Sequence, residues 1–283
     1  ICAESGIDTE AAKSGSEDGQ FFEEILPGLC AKALASTPDR AGYDTIIVDE
    51  AQDLLLDNYV LIIDELLEGG LEQGRWVFFS DANQSIFAHS DGGSTAYDLL
   101  MDYGPSRHRF RYNCRNTRTT AAITQVLTGL EVGETRTDGP TEKAVWYRDA
   151  NDQIRVISRL VNRLLSEGFA PGDIIILSHR SFARSDLSNG LDKVPYDLFD
   201  WTSSEGDVPP NVVRFSTIQS FKGLESDIVI IADIDALEHP NFDRAKLNYV
   251  GATRACLMLI PSIHWDLKDL LEPQLDALHV DGV

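Results

Sequence analysis

The chain is sparing in cysteine and lacks long apolar runs. Its four cysteines are scattered through 283 residues, without a Cys-x-x-Cys pair or a histidine at metal-ligand spacing, which argues against a disulfide framework or a zinc ribbon. Such usage is typical of a reducing compartment, so we expect a cytoplasmic protein. No apolar run approaches the roughly 18–20 residues of a membrane helix and no signal-peptide pattern is present, so we expect no membrane association.

The chain also lacks an excess of positive charge. With 24 basic and 46 acidic residues its net charge is −22, which argues against a surface coated in cations for gripping nucleic acid. Arginine is nevertheless concentrated in residues 107–118, a stretch without a single acid. This concentration favours a local site for an anion, and the alternative is a solvated arginine face. The five arginines are Arg107, Arg109, Arg111, Arg115 and Arg118.

A third absence is the glycine-rich phosphate loop, because Gly-x-x-x-x-Gly-Lys-[Ser/Thr] occurs nowhere in the chain. What is present is a pair of carboxylates, Asp49 and Glu50, directly after the β-branched run 45–48. The run predicts a buried parallel strand, and open α/β sheets bind ligands at the carboxyl ends of their strands. One carboxylate can hold a hydrated Mg²⁺ and the other can take a proton from water. The alternative is an ordinary strand end with solvated acids.

Strand and helix patterns alternate along the chain and predict an α/β fold with mainly parallel sheets. A division near residue 105 separates two such α/β units, 1–105 and 106–283. The predicted strands include 43–48, 75–79, 144–147, 173–177, 212–215, 228–231 and 256–260. The predicted helices include 54–67, 117–130, 154–165 and 244–251.

Five ordered motifs then point to one family. They span most of the chain and read Asp-Glu-Ala-Gln-Asp (49–53), Asp-x-x-Gln-Ser-Ile-Phe (81–87), Asn-Cys-Arg-Asn-Thr (113–117), Phe-Lys-Gly-Leu-Glu (221–225) and Tyr-Val-x-x-Thr-Arg-Ala (249–255). In this order they resemble the superfamily 1 helicases of the UvrD/Rep type.

The resemblance implies two RecA-like P-loop NTPase domains with ATP and Mg²⁺ bound between them. Residues 1–105 would be the C-terminal part of an incomplete first domain and residues 106–283 the second domain. The implied activity is that of an ATP-dependent DNA helicase or translocase moving on single-stranded DNA, with RNA as an open alternative. The part of the protein that carries the phosphate loop would lie upstream.

The resemblance also implies roles for residues near the nucleotide. Asp49 would hold Mg²⁺ through water, and Glu50 would activate the attacking water. Gln84 would sense the γ-phosphate. Arg115 and Arg254 would be cationic fingers that neutralise the charge developing during phosphoryl transfer.

Further positions resemble binding residues of the family. Gly223 and Glu225 match positions near the ribose and phosphates of the nucleotide. Thr217 matches a contact to a phosphate of single-stranded nucleic acid. Phe87 and His89 fall where the family carries aromatic residues around the strand, and a plain loop histidine is the alternative for His89.

The sequence departs from the family in several places. Besides the missing loop, Cys114 replaces a tyrosine that stacks on adenine, and Gln219 replaces a histidine. The segment between Asn116 and Phe215 is too short for the large helical insertion of the long helicases, so the chain resembles the compact form. Because it starts at Ile1 without a phosphate loop, we expect a fragment that hydrolyses ATP poorly alone. The alternative function is a non-catalytic binding or nucleotide-sensing module in a repair or defence complex.

Overall fold

The computed structural model confirms the α/β class and separates the chain into two compact units, Ile1–His108 and Arg109–Val283. That these units are two RecA-like domains stays a prediction. Among the described residues, no helix is both long and apolar enough to cross a membrane. The structure describes residues 2–14, 20–37, 42–84, 93–188, 196–202, 209, 211–240 and 242–280.

The first unit contains a two-stranded parallel sheet flanked by helices. Its elements are α1 (Thr9–Lys13), a π-helical turn (Phe21–Ile25), α2 (Leu26–Ser36), β1 (Thr45–Val48), α3 (Asp57–Leu66), α4 (Gly70–Gln73), β2 (Arg75–Phe78) and α5 (Gly93–Asp102).

The two strands of this sheet are less buried than their sequence predicts. One face, with Ile46, Trp76 and Phe78, packs against a core that includes residues of α3 and α5. The opposite face is open, and Ile47 is 66% exposed and Val77 44% exposed. The prediction of strands buried on both faces is therefore wrong for the described residues, because β1 and β2 pair only with each other there and helices cover one face.

The second unit is built on a six-stranded, fully parallel sheet in the order β5-β10-β9-β6-β8-β7. Its elements are β3 (Tyr112–Asn113), α6 (Arg118–Thr128), β4 (Glu134–Thr135), β5 (Val145–Tyr147), α7 (Ala150–Ser166), β6 (Ile174–Ser178), β7 (Leu198–Asp200), β8 (Val213–Thr217), β9 (Ser226–Ile234), α8 (Arg244–Ala252), β10 (Ala255–His264) and α9 (Lys268–Val280). Strands β3 and β4 form a separate parallel pair.

The core of the second unit lies between this sheet and α7. Every residue of β6 is buried, as is the central run of β9, which is the pattern of parallel strands covered on both faces. Helix α7 buries Ile154, Ile157, Val161 and Leu164 at helical spacing and leaves its arginines outside. The sheet positions polar side chains at the amino ends and at the carboxyl ends of its strands.

Candidate nucleotide and nucleic-acid sites

The two predicted catalytic carboxylates of the first unit leave β1 in a sharp turn. Glu50 has φ 50°, the left-handed region that a non-glycine residue rarely adopts. Its amide N–H donates to Asp49 Oδ1 at 2.9 Å, and the next amide, of Ala51, donates to the carbonyl of Phe79 at 2.8 Å. The turn therefore joins the ends of β1 and β2 and presents the Asp49 side chain to solvent.

Buried Gln52 connects the acids to the end of β2. Its Nε2 donates to Glu50 Oε2, and its Oε1 accepts the backbone N–H of Asp81 at 3.0 Å. Gln84, the predicted γ-phosphate sensor, donates in turn to Asp81 Oδ2 at 2.9 Å. The predicted base and the predicted sensor are thus linked through two intermediate residues. The sequence motif contains Gln52, but its spacing alone gave no reason to assign this role.

The donor set at this turn fits a hydrated Mg²⁺. Magnesium keeps several of its waters and binds through one or two carboxylates, and the exposed Asp49 supplies one. The described residues hold no group of three or more His, Cys, Asp or Glu side chains arranged for a metal ion. Phe87 and His89, the predicted aromatic contacts to nucleic acid, lie outside the described residues.

In the second unit, three motifs far apart in sequence meet at the amino ends of β9 and β10. Arg115 Nε donates to Glu225 Oε2 at 3.1 Å. The side-chain amide of Asn116 donates to the carbonyls of Thr253 and Ala255 at 3.0 and 2.7 Å. Because Asn116 is buried, these bonds fix the loop that carries Arg115 against the loop before β10.

Arg254 lies at this same junction but is only 1% exposed. Its Nε donates to the carbonyl of Val250 at 3.0 Å and an Nη donates to Thr253 Oγ1 at 3.2 Å. The guanidinium therefore caps the carbonyl end of α8, a position that also favours a cation. The finger roles of Arg254 and Arg115 both stay predictions, and the side chain of Arg115 is the more accessible of the two, at 40% exposed.

Gly223 and Glu225 precede β9 in an exposed turn. Gly223 has φ 83°, where an L side chain is strained, and this explains the residue type. Glu225 pairs with Arg115 and leads into Ser226, whose N–H donates to the carbonyl of Arg254 at 3.0 Å. The structure thus brings four predicted nucleotide-binding residues together at the amino ends of β9 and β10: Arg115, Gly223, Glu225 and Arg254.

Thr217 lies at the opposite end of the strands, at the carboxyl end of β8. Its Oγ1 accepts the N–H of Ser220 at 3.1 Å and shares a hydrogen bond with the Ser220 hydroxyl at 2.8 Å. The strand register sets Thr217 beside Ser178 of β6. Along the strands, roughly 20 Å separate this level from the start of β9. The predicted nucleic-acid contact and the predicted nucleotide contacts therefore lie at opposite ends of the strands.

The remaining arginines of residues 107–118 are mostly exposed, as are their aromatic neighbours. Phe110 is 74% and Tyr112 50% exposed, and the guanidinium of Arg136 stacks 3.8 Å from the Tyr112 ring. Arg118 pairs with Asp138 at 2.9 Å. The anion site of residues 107–118 stays a prediction, and the exposure of Phe110 is what the alternative, a solvated arginine face, predicts.

Sequence reasoning missed a buried carboxylate at the carboxyl end of β9. Asp233 is fully buried with φ 61°, and it accepts hydrogen bonds from the hydroxyls of Ser178 and Ser185 at 2.5 and 2.8 Å. The side-chain amide of Gln153 fits against Asp233. Its nitrogen lies 2.9 Å from Asp233 Oδ1, and its oxygen lies 2.8 Å from the backbone nitrogen of Asp233. Arg180 lies 3.8 Å away. A signal was available, because Asp233 interrupts an apolar strand run.

The neighbouring Asp235 is held between two arginines. Arg180 pairs with one of its oxygens, and the buried Arg244 donates to the other at 2.7 Å. Burial alone would raise the pKa of Asp235, but the hydrogen bond from Arg244 and the nearby positive charges hold it below its usual range. Arg244 also contacts His179 Nε2 at 2.7 Å, and burial followed by the charges of Arg244 and Arg180 lowers the pKa of His179 to about 4. His179 is therefore a neutral acceptor at pH 7.

Comparison with known proteins supports the reading of the second unit. Residues 212–260 match the model of the UvrD-like helicase C-terminal domain. This segment contains two of the five motifs and confirms the resemblance to UvrD-type helicases there. Among solved structures, the C-terminal domain of a possible DNA helicase from Lactobacillus plantarum WCFS1 is similar at 20% identity and a TM-score of 0.44, covering 59% of this chain and 96% of that one. No curated protein matches the chain.

Proposed function

We propose that this chain functions as a superfamily 1 motor. Its residues 212–260 match the UvrD-like helicase C-terminal domain. It would couple ATP hydrolysis with Mg²⁺ to movement on single-stranded DNA. The observation that carries the proposal is the anchoring of the Arg115 loop by Asn116 to the carbonyls of Thr253 and Ala255. This contact joins segments 137 and 139 residues apart and places an accessible arginine beside Glu225.

Each predicted site residue described in the first unit has a chemical task in this proposal. Glu50 accepts the proton of the attacking water, and the hydrogen bond from Gln52 orients its carboxylate. Asp49 would hold Mg²⁺ through a water. Gln84 donates its amide to a phosphate oxygen once it leaves Asp81. Mg²⁺, when bound, neutralises charge on the phosphates.

In the second unit, Arg115 stabilises the negative charge of phosphoryl transfer. An accessible guanidinium can exchange one anionic partner for another, so Glu225 holds Arg115 until phosphate oxygens compete for it. Gly223 allows a close backbone approach to the nucleotide. Arg254 keeps the loop before β10 in place through its bonds to α8, in addition to its proposed contact with the γ-phosphate.

Hydrolysis further requires a phosphate loop, and we assign it to another segment of the same protein. The open apolar face of β1 and β2 supports this assignment, since parallel sheets are covered on both faces in α/β proteins. The alternative is a nucleotide-sensing or binding module without turnover. The buried state of Arg254 is the observation that favours it.

The test measures ATP hydrolysis by the longest natural product that contains this chain, with and without single-stranded DNA. A motor predicts turnover that rises severalfold or more with DNA and falls when Arg115 is changed to alanine. The matched control is Arg75→Ala, which removes an exposed arginine from the first unit. A protein that binds ATP and DNA but shows no DNA-dependent turnover would support the sensing module instead.

A further inference from the structure

The outer face of α7 contains a groove of about 680 Å³ beside the carboxyl end of β5, lined mainly by charged and polar residues together with their aliphatic stems. None of the predicted site residues lies in it. Its lining carries three guanidinium groups and two carboxylates, a local excess of positive charge in a protein of net charge −22. We call it the α7 groove, and its lining residues are Arg148, Asp149, Asn151, Asp152, Ile154, Arg155, Ser158, Arg159 and Asn162.

Both carboxylates of the α7 groove are already engaged. Asp149 caps α7 by accepting the N–H of Asp152 at 2.9 Å. Asp152 accepts the N–H of Arg148 at 3.1 Å and pairs with Arg155, and this hydrogen bond from Arg155 lowers the pKa of Asp152. Arg148 and Arg159 form no ion pair with any carboxylate in the described part of the chain. Two exposed guanidinium groups therefore remain for an anionic partner.

Arg148 is also held in position, and the other two arginines are aligned along the helix. The Arg148 guanidinium stacks 4.1 Å from the Trp265 ring centroid, which restricts its motion. Arg155 and Arg159 are four residues apart on α7, so they stand one above the other at about 6 Å along the axis. The donors from Asn151 to Asn162 extend over about 16 Å of helix. This is an extended row, suited to an anion with several charges in line.

We infer that the α7 groove binds the phosphodiester backbone of the single-stranded nucleic acid on which the protein acts, an inference that rests on the proposed function. A protein partner would be expected to need apolar or aromatic anchors, but Ile154 of the lining is buried and the neighbouring Trp265 ring already carries Arg148 and Lys268 against it. Phosphates need only donors and positive charge, and arginine matches them in two-pronged geometry.

The location agrees with this partner. The groove lies at the carboxyl end of β5, and Thr217 lies at the carboxyl end of β8. Because the sheet is parallel, both positions are at the same end of its strands. Four strand spacings separate β5 from β8 in the order of the sheet, or roughly 19 Å. Between them, Arg180 and Arg244 offset part of the negative charge of Asp186, Asp235, Glu238 and Asp266. A strand of several nucleotides is long enough to reach both positions.

The experiment measures binding of this chain to an oligothymidylate of about 20 nucleotides as a function of salt. Arg159→Gln should weaken binding severalfold and reduce the slope of log K against log salt by about 0.7, the value for one lost phosphate contact. Arg163→Gln is the matched control, because Arg163 is on the same helix but is paired with Glu142 and Glu167 outside the groove. The Arg148→Gln, Arg159→Gln double variant should double the change in slope.

The outcomes separate this inference from the proposed function. If the wild-type chain binds and Thr217→Ala weakens it, but Arg159→Gln and Arg163→Gln behave alike, the inference is overturned and the proposed function stands. If the wild-type chain does not bind the oligonucleotide at all, the proposed action on nucleic acid fails first and the inference falls with it. If a polyglutamate peptide displaces the oligonucleotide through Arg159 at comparable affinity, the occupant is an acidic protein segment and the assignment to nucleic acid is wrong.

Discussion

Gln52 donates its side-chain amide to the carboxylate of Glu50, and the same amide group accepts the backbone N–H of Asp81. Gln52 is only 5% exposed, so the side chain that makes both bonds is itself buried. The orientation of the predicted base is therefore fixed by a residue anchored to the neighbouring strand. A positioning residue of this kind affects catalysis through the carboxylate that it holds.

The first prediction concerns this residue. Gln52→Ala frees the Glu50 carboxylate and leaves the Asp81 N–H without its acceptor. In the full-length protein we expect the kcat for ATP to fall about 10–100-fold with little change in KM, because misplacing a catalytic group affects the transition state more than binding.

Steady-state ATPase kinetics check this prediction. Gln73→Ala is the matched control, since Gln73 is an exposed glutamine at the end of α4 in the same unit. A Gln52→Ala protein with wild-type kcat would show that Glu50 needs no positioning from this side chain.

The second prediction concerns the anchor of the Arg115 loop. Asn116→Ala leaves the carbonyls of Thr253 and Ala255 without their donor in a buried position. We expect a loss of about 2 kcal/mol in the free energy of unfolding, the usual cost of unsatisfied buried polar groups. Urea denaturation measures it, and exposed Asn162→Ala should change stability by less than about 0.5 kcal/mol. Equal effects of the two variants would contradict the anchoring role.

The third prediction concerns pH. His179 has a pKa of about 4 in the folded protein, below the ordinary value of about 6.5. Between these values the unfolded chain binds a proton that the folded chain does not, so stability falls as the pH is lowered from about 6.5 to about 4. The full effect is at most about 3 kcal/mol, and partial exposure reduces it.

His179→Gln tests the source of this dependence, because glutamine offers an acceptor to Arg244 but does not titrate. Unfolding free energies at about pH 7 and pH 4.5 should differ less in the variant than in the wild-type protein. The lowered pKa of Asp235 acts in the same direction but mainly below about pH 4. An unchanged difference in the variant would assign the pH dependence to other groups.

Much of the second unit could be predicted from the sequence. The strands predicted at 173–177 and 228–231 correspond to β6 and β9, because long β-branched runs leave little ambiguity when both faces are buried. The amphipathic spacing of residues 154–165 likewise predicted α7. Residues 43–48 were predicted as a strand correctly, but not the exposure of Ile47, since hydrophobicity does not reveal how many neighbours a strand has.

The site was predictable where a motif carries its residues and not where the tertiary fold supplies partners. Arg115 and Glu225 belong to separate motifs, yet nothing in either motif indicates that they pair. Asn116 and Asp233 are buried polar residues whose partners come from distant strands, so only the fold reveals their roles. The burial of Arg254 against α8 has the same origin.

The most direct test of the motor function is Glu50→Gln in the full-length protein, measured by ATP hydrolysis with single-stranded DNA and by ATP binding. The amide has the shape of the carboxylate but cannot accept the proton, so we expect turnover to fall about 10²–10⁴-fold while ATP binding persists. Glu65→Gln, an exposed change on α3, is the control and should leave both unchanged. Undiminished DNA-stimulated turnover in Glu50→Gln would contradict the assignment of the base and the account of hydrolysis built on it.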